Sequence, residues 1–518
     1  LYGSYTSLVY LTPLLGGFIA DKYWGNKRSI VAGGVLMAIG EFILFFCGTV
    51  YETAPGLSSF LFFAGLGFMI AGNGFFKPNI SSLVGQLYPQ NDRRIDPAYT
   101  IFYMGINVGG AIGPFICGIV GDTGNPADFR WAFLVAGIGM SLSVLVQKLF
   151  QKKYVTTPDG KSLGEVPENA PKAFSNPLFI AVGLGLLSAL MIGILYFDAQ
   201  IFSFLSYLLL VAVVGIIFYI FTDKTLNTIE RKKIIVILIV SFFVIFFWSA
   251  FEQAGASLTF FADEQTNRQL NMHLPVWIVY LVGAVLLYYI YILVKKVARN
   301  LKADDKLLRN SLFLLLALFG AGIAYAILYL MNSGMSHIDL DELPASTFQS
   351  LNSIFVVSFA PLFALLWTKL GKREPSSPTK MAMGLMLLAL GYWWIAYGVK
   401  DVAPTVKVSM IWLTGMYALH TWGELCLSPI GLSLVNKLSP LKFASLLMAV
   451  WFLANAAANL LAGALSALYP TDGRVTSFLG YKMSNLHEFF MLFVFMAGAA
   501  SIILFFLSRY LQKLMNAK

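Results

Sequence analysis

Stretches of about 20 apolar residues recur from one end of this chain to the other, and each is long enough to cross a bilayer core as a helix. They fall at approximately 1–20, 30–50, 57–87, 98–120, 131–147, 177–197, 201–221, 234–261, 274–294, 311–331, 346–368, 381–398, 408–435, 443–468 and 488–508. Backbone inside lipid must satisfy its own hydrogen bonds, so fifteen such spans imply an all-α membrane protein. The composition agrees: 58% of residues are hydrophobic and 12% charged, against about a quarter charged in soluble domains. Cys47, Cys117 and Cys426 all lie within apolar spans, so no disulfide framework is implied. No phosphate-cradling loop, Cys/His metal spacing or nucleophile motif is present, which leaves soluble catalysis with little support.

Basic residues orient the spans. Alternate loops beginning with Asp21–Ser29, together with the C-terminal tail, hold 29 of the 36 Lys and Arg. That bias predicts a cytoplasmic C-terminus. It also accounts for the net charge of +10 as a set of topology signals facing anionic lipid, not a nucleic-acid patch. An odd number of spans then puts Leu1 outside. The chain opens in mid-helix with no initiator Met, polar lead or signal-peptide pattern, and the expectation is that one further helix precedes it in the native protein.

The segment beginning near Leu57 holds a lysine deep in its second half, in Gly72-Asn73-Gly74-Phe75-Phe76-Lys77-Pro78-Asn79. A charge at bilayer depth costs at least about 2.5–3.5 kcal/mol on insertion scales, so it requires a partner or a wet cavity. Pro78 lacks an amide hydrogen and disturbs the helical ladder one turn back. Asn73, Lys77 and Ser81 follow at four-residue steps and share a helix face. This polar stripe reads as the wall of a pathway; the competing reading is a lysine that ties two helices together.

Three carboxylates, Glu41, Glu252 and Glu424, are comparably deep. Glu424 has His420 and Thr421 one turn before it and Ser428-Pro429 one turn after. A carboxylate there suits a ligand ammonium, and a Glu424–Lys77 pair is the structural alternative. Both hold if a ligand's two charged ends replace the internal pair in alternate states. Glu252 lies in Phe251-Glu252-Gln253-Ala254-Gly255. A carboxylate whose cationic partner comes and goes loads and releases a proton, and a static interhelical tie is the alternative. Glu41 has no assigned role, and His420 reads more readily as an interior hydrogen bonder than as a proton carrier.

Four motifs carry a resemblance. Gly16-Gly17-Phe18-Ile19-Ala20-Asp21-Lys22-Tyr23-Trp24-Gly25-Asn26-Lys27-Arg28 resembles the loop between helices 2 and 3 of the major facilitator superfamily, in its proton-coupled oligopeptide transporter form. Gly72–Tyr88 resembles that family's helix 4, and Phe102-Tyr103-Met104-Gly105-Ile106-Asn107-Val108-Gly109 its helix 5. Gly423-Glu424-Leu425-Cys426-Leu427-Ser428-Pro429 resembles its helix 10. The resemblance implies a major facilitator fold of two six-helix bundles plus extra helices, with helix 1 absent from this chain. The Glu-x-x-Glu-Arg type motif of the family's helix 1 has no counterpart here. The expected organisation is an N-terminal bundle over 1–150, a cytoplasmic connector over 151–176 and an extra helix pair over 177–232. A C-terminal bundle would follow over 233–518, with helix 7 running from Ile234 to Phe261 and an additional hairpin at about 274–331.

By the same resemblance the chain is a proton-coupled symporter importing di- and tripeptides across a bacterial plasma membrane. It would be a monomer needing no cofactor or metal, with the proton as coupling ion and no nucleic acid as partner. Glu424 would hold the peptide amine, Lys77 the carboxylate end, and Glu252 would serve proton coupling with Lys77 and Glu424. Asn107, Asn352 and Asn455 would grip the peptide backbone, while Tyr10 and Trp451 shape side-chain pockets. For each amide, and about equally for Asn459, a helix–helix hydrogen bond is the competing reading. Gly3 occupies the position of a histidine in mammalian-type relatives, so the bacterial form is implied. Another small solute on the same scaffold, such as nitrate or an amino acid, and a peptide receptor without turnover remain open.

Overall fold

The computed structural model describes residues 1–516 except 89–94, 158–159, 168–169, 172–175, 404, 441–442, 471–473 and most of 301–329. Eleven of the described helical segments are long and apolar enough to cross a membrane, as a multi-pass integral protein requires. Contacts divide the chain into two compact units: 1–145 with 155–267 and 344–518, and 146–154 with 268–343.

The larger unit opens with α1 (Tyr2–Ile19), α2 (Asn26–Thr49) and α3 (Pro55–Gln86). Between α1 and α2 the chain makes a π-helical turn over Ala20–Trp24, and Gly25 at φ 74° reverses it. Pro55 starts α3 at a position where its missing amide costs nothing. Inside α3, Pro78 leaves the Gly74 carbonyl without its helical donor. Gly16 of α1 packs onto that carbonyl so tightly that no side chain fits there. Asn73 adds a direct tie, its Nδ2 donating to the Val9 carbonyl at 3.0 Å.

Further along run α4 (Ile95–Gly121), α5 (Phe129–Tyr154), α6 (Pro177–Tyr196), α7 (Asp198–Thr222) and α8 (Thr228–Phe251). Asn227 and Glu230 close a reciprocal capping box at the start of α8, satisfying two of its free amides. The helix expected from Ile234 to Phe261 forms with an interruption. The α-helix stops at Phe251, a 3₁₀ turn covers Glu252–Gly255, and α9 (Ser257–Glu264) resumes after Ala256. Carbonyls released at such a break must find donors elsewhere. Tyr392 Oη donates to Ala250 O at 2.6 Å, and Tyr2 Oη to Glu252 O at 2.9 Å. Gln253 Nε2 donates to Ser249 O at 3.1 Å and to Ala462 O at 2.9 Å.

The last helices of the unit are α11 (Ser350–Leu370), α12 (Ser377–Gly398), α13 (Met410–Leu438), α14 (Ala444–Ser466) and α15 (Leu486–Met515). Their core is aromatic, with Tyr392 stacked on Phe493 at 4.6 Å and Phe489 and Phe490 fully buried beside it. Helices α1 and α13 are not among the eleven apolar segments, and these two carry polar residues of the site described below. Two short strand pairs, β1 (Thr266–Asn267) with β4 (Val408–Ser409) and β5 (Thr476–Phe478) with β6 (Tyr481–Met483), trim the loops.

In the smaller unit, β2 (Gln269–Pro275) pairs antiparallel with β3 (His337–Glu342). The helix expected over 274–294 is α10 (Val276–Asn300). Its expected partner over 311–331 lies largely outside the described residues.

Candidate functional site

Glu424 lies in the middle of α13 with only 9% of its surface exposed. Its Oε2 accepts a hydrogen bond from Asn352 Nδ2 of α11 at 2.9 Å. The same Nδ2 reaches Thr421 Oγ1, one turn before Glu424, at 3.1 Å. Thr421 is fully buried and donates its own hydrogen to the Tyr417 carbonyl at 2.7 Å. A carboxylate, an amide and a hydroxyl from two helices thus form one connected polar cluster inside a membrane-spanning bundle. Such a cluster is costly unless its members satisfy one another, and the hydrogen bonds above do so.

Asn352 also lines a cavity of ≈ 330 Å³, together with Tyr2, Phe251, Glu252, Gln349, Tyr417 and His420. Glu252 is half-buried at the helix break. It lies within electrostatic reach of both Lys77 and Glu424. Glu252 is past the end of the α8 ladder, where it lines the cavity while its carbonyl accepts from Tyr2 Oη. His420 is 2% exposed, and its ring packs 4.7 Å from Tyr392 with Nε2 unpartnered among the described residues. A larger apolar groove of ≈ 590 Å³ between α7, α8 and α14 carries no charged group and is unsuited to a charged ligand.

Lys77 is exposed, with its ammonium 4.3 Å from the centre of the Tyr10 ring. Among the described residues no carboxylate comes within 4.0 Å of it. A cation over a tyrosine face is attracted by the ring quadrupole without forming an ion pair. Asn107 of α4 is 7% exposed and donates to Tyr103 O of its own helix at 2.9 Å. One turn on, Gly110 abuts Ser353, which puts Asn107 on the face of α4 toward α11.

Two of the expected ligand residues are closely packed. Trp451, expected to shape a pocket, is 4% exposed within the hydrophobic core, its indole packed on Gly431 of α13. Asn455 is 6% exposed and donates to Trp451 O, while Asn459 donates to Asn455 O, both at 2.9 Å. Both amides therefore close bonds along α14 itself. Thr421, Tyr417, Tyr2 and Gln349, none of them assigned a role from sequence, are at the cluster or its cavity. Spacing of four and then three residues could have flagged Tyr417, Thr421 and Glu424 as one stripe of α13. Nothing local pointed to Tyr2 or Gln349.

At their Tyr2 ends α1 and α14 meet closely. A Cβ on Gly3 of α1 would lie 2.9 Å from the Gly463 Cα of α14. The Asp122 carboxylate accepts hydrogen bonds from Ser346 N at 3.3 Å and Ser346 Oγ at 3.0 Å.

Comparison with known proteins joins this geometry to a family. The profile described as POT family matches residues 27–307 and 308–475. The chain is 31% identical over 471 residues to the uncharacterized transporter YclF of Bacillus subtilis (strain 168), covering 90% of this chain and 78% of the relative. It is 30% identical over 482 residues to a di-/tripeptide transporter of Lactococcus lactis subsp. cremoris, covering 92% and 81%. A crystal structure of a POT family transporter in complex with a thioalcohol-conjugated peptide matches with a TM-score of 0.70 at 26% identity, covering 98% of this chain and 87% of that one. The likeness extends along nearly the whole chain and includes the expected major facilitator architecture. With the family profile covering most of its residues, this chain belongs to the POT family of transporters.

Proposed function

We propose that this protein is a secondary active transporter that imports di- and tripeptides with protons by alternating access. The observation that carries the reading is the Glu424–Asn352–Thr421 cluster beside a cavity that also holds Glu252. A zwitterionic peptide needs an anionic and a cationic end-group, and Glu424 and Lys77 supply them. The Glu424 carboxylate receives the ammonium, and the Lys77 ammonium receives the carboxylate. Asn352 and Asn107 contact the peptide backbone, and Tyr10 positions Lys77. Glu252 takes up the coupling proton, and its reach to both Lys77 and Glu424 connects protonation to ligand binding. The distribution of Lys and Arg favours a cytoplasmic C-terminus, which makes the Tyr2 end the outer one. The contacts of Gly3 with Gly463 and Asp122 with Ser346 then close the outer side.

Uptake of labelled dialanine into proteoliposomes, with and without an inward proton gradient, tests the reading. Gradient-driven accumulation is expected, and Glu424→Gln is expected to reduce it at least about tenfold by removing a charge-assisted contact. Counterflow without a gradient separates a transporter from a receptor, which cannot exchange. Absence of peptide uptake by folded protein would defeat the peptide assignment and leave the fold standing.

A further inference from the structure

The Asn352 amide makes two hydrogen bonds through the same nitrogen, to Glu424 Oε2 at 2.9 Å and to Thr421 Oγ1 at 3.1 Å. An amide nitrogen has two hydrogens and the oxygen only lone pairs, so its partners decide which end faces the cavity. Glu424 alone cannot decide it. Ionised, the carboxylate accepts from Nδ2; protonated, it donates equally well to Oδ1. Thr421 has no such freedom. Its single hydrogen is given to the Tyr417 carbonyl at 2.7 Å, and a carbonyl can only accept. What Thr421 turns toward Asn352 is therefore lone pairs, whatever the state of Glu424. With the threonine fully buried, no water competes for that hydroxyl.

We infer that Thr421 is a positioning residue that locks the Asn352 amide with both hydrogens spent inside the protein and Oδ1 left for the cavity. Asn352 then meets a ligand as an acceptor. It adds a second oxygen to the Glu424 carboxylate for a donor such as an ammonium group, and it cannot donate to a peptide carbonyl. This deepens the peptide reading above and rests on it: the pair of acceptors selects ligands by the hydrogens on their amino group, beyond its charge.

Two ligands and two substitutions test this on purified protein in lipid nanodiscs. Dialanine carries ammonium hydrogens; its N,N,N-trimethyl analogue keeps the positive charge and has none. Thr421→Val preserves shape and removes the hydroxyl, and Thr421→Ser preserves the hydroxyl. The expected result is a loss of about tenfold in dialanine affinity for Thr421→Val, the scale of one hydrogen bond to a charged group. Thr421→Ser should stay within about twofold of the parent, and the trimethyl analogue should bind the parent and Thr421→Val alike. If Thr421→Val weakens both ligands equally, the threonine only packs, and the inference is overturned. Should Thr421→Val fail to fold, Thr421→Ala gives the same two-ligand comparison. A parent protein that binds neither ligand defeats the peptide reading itself, a different result from equal weakening.

Discussion

At the Lys77 ammonium the partner is the face of Tyr10 at 4.3 Å, with Glu252 within electrostatic reach and, among the described residues, no carboxylate in contact. A ring contributes through its π face and its hydroxyl is incidental to that attraction. Tyr10→Phe should therefore keep dialanine uptake within about 1.5-fold, while Tyr10→Leu should lower it by about two- to fivefold, the range of about 0.5–1 kcal/mol for a cation–π contact at an exposed lysine. Initial rates in proteoliposomes check both; equal losses for the two would mean that the hydroxyl, not the ring, supports the lysine. The chemistry of this residue was legible in the sequence, because a lysine and a proline in the middle of an apolar span demand an explanation. Its partner was not, since Tyr10 is on another helix. Asn107, Asn352 and Asn455 look alike in sequence as mid-span amides. The structure separates them: Asn352 bonds across to α13, whereas Asn107 and Asn455 bond back along their own helices.

Among elements, α8 is the one whose break most shapes the cavity. Gln253 bridges Ser249 O and Ala462 O and accepts from Ser257 Oγ at 2.6 Å, so one amide joins both sides of the break to α14. Apolar periodicity carried the sequence reading straight through Glu252–Ala256, since residues on either side are equally apolar. The only local sign was Gly255, which sits against the Tyr2 ring with no space for a side chain. The α1–α14 contact offers a test of motion. A side chain larger than hydrogen on Gly463 would strike the Gly3 backbone, and overpacking of this kind costs about 1–3 kcal/mol. Gly463→Leu should shift the population toward separated Tyr2-end contacts by about tenfold. Spin labels at the Tyr2 ends of α1 and α14 should report a longer mean distance, with transport reduced and the amount of folded protein unchanged. An unchanged distance distribution would show that this contact does not hold the end closed.

For the whole molecule, the segment after α5 docks back on the start of α2. Lys27 is 5% exposed; its ammonium binds the Ser162 hydroxyl and the Glu165 carboxylate, the latter at 3.2 Å, while Lys27 N donates to Gly164 O at 3.0 Å. The Ser162 hydroxyl, and after it Lys27, hold the Glu165 carboxyl below the usual glutamate range. A carboxyl with a lowered folded value contributes stability above its unfolded pKa and loses it as pH falls through the lowered value. Docking should thus persist at neutral pH and loosen in acid. A spin label at Lys161 should show an immobilised spectrum at pH 7 that sharpens well below the ordinary glutamate pKa. Glu165→Gln should be mobile at both; an immobile label in that variant would assign the docking to the backbone contacts alone. Much of this architecture was written in the sequence: apolar length determined that the chain crosses the membrane repeatedly as helices, and Lys77, Glu252 and Glu424 stood out because buried charge is expensive. Only the tertiary structure decided that Asn352 meets Glu424 and Thr421, that α8 breaks at Glu252, and that Trp451 belongs to the core. The reason is physical. Helical periodicity fixes which residues share a face of one helix, whereas the neighbour of that face is set by how separate helices close-pack, and small residues such as Gly3, Gly16 and Gly463 make those approaches without any local pattern that names their partner.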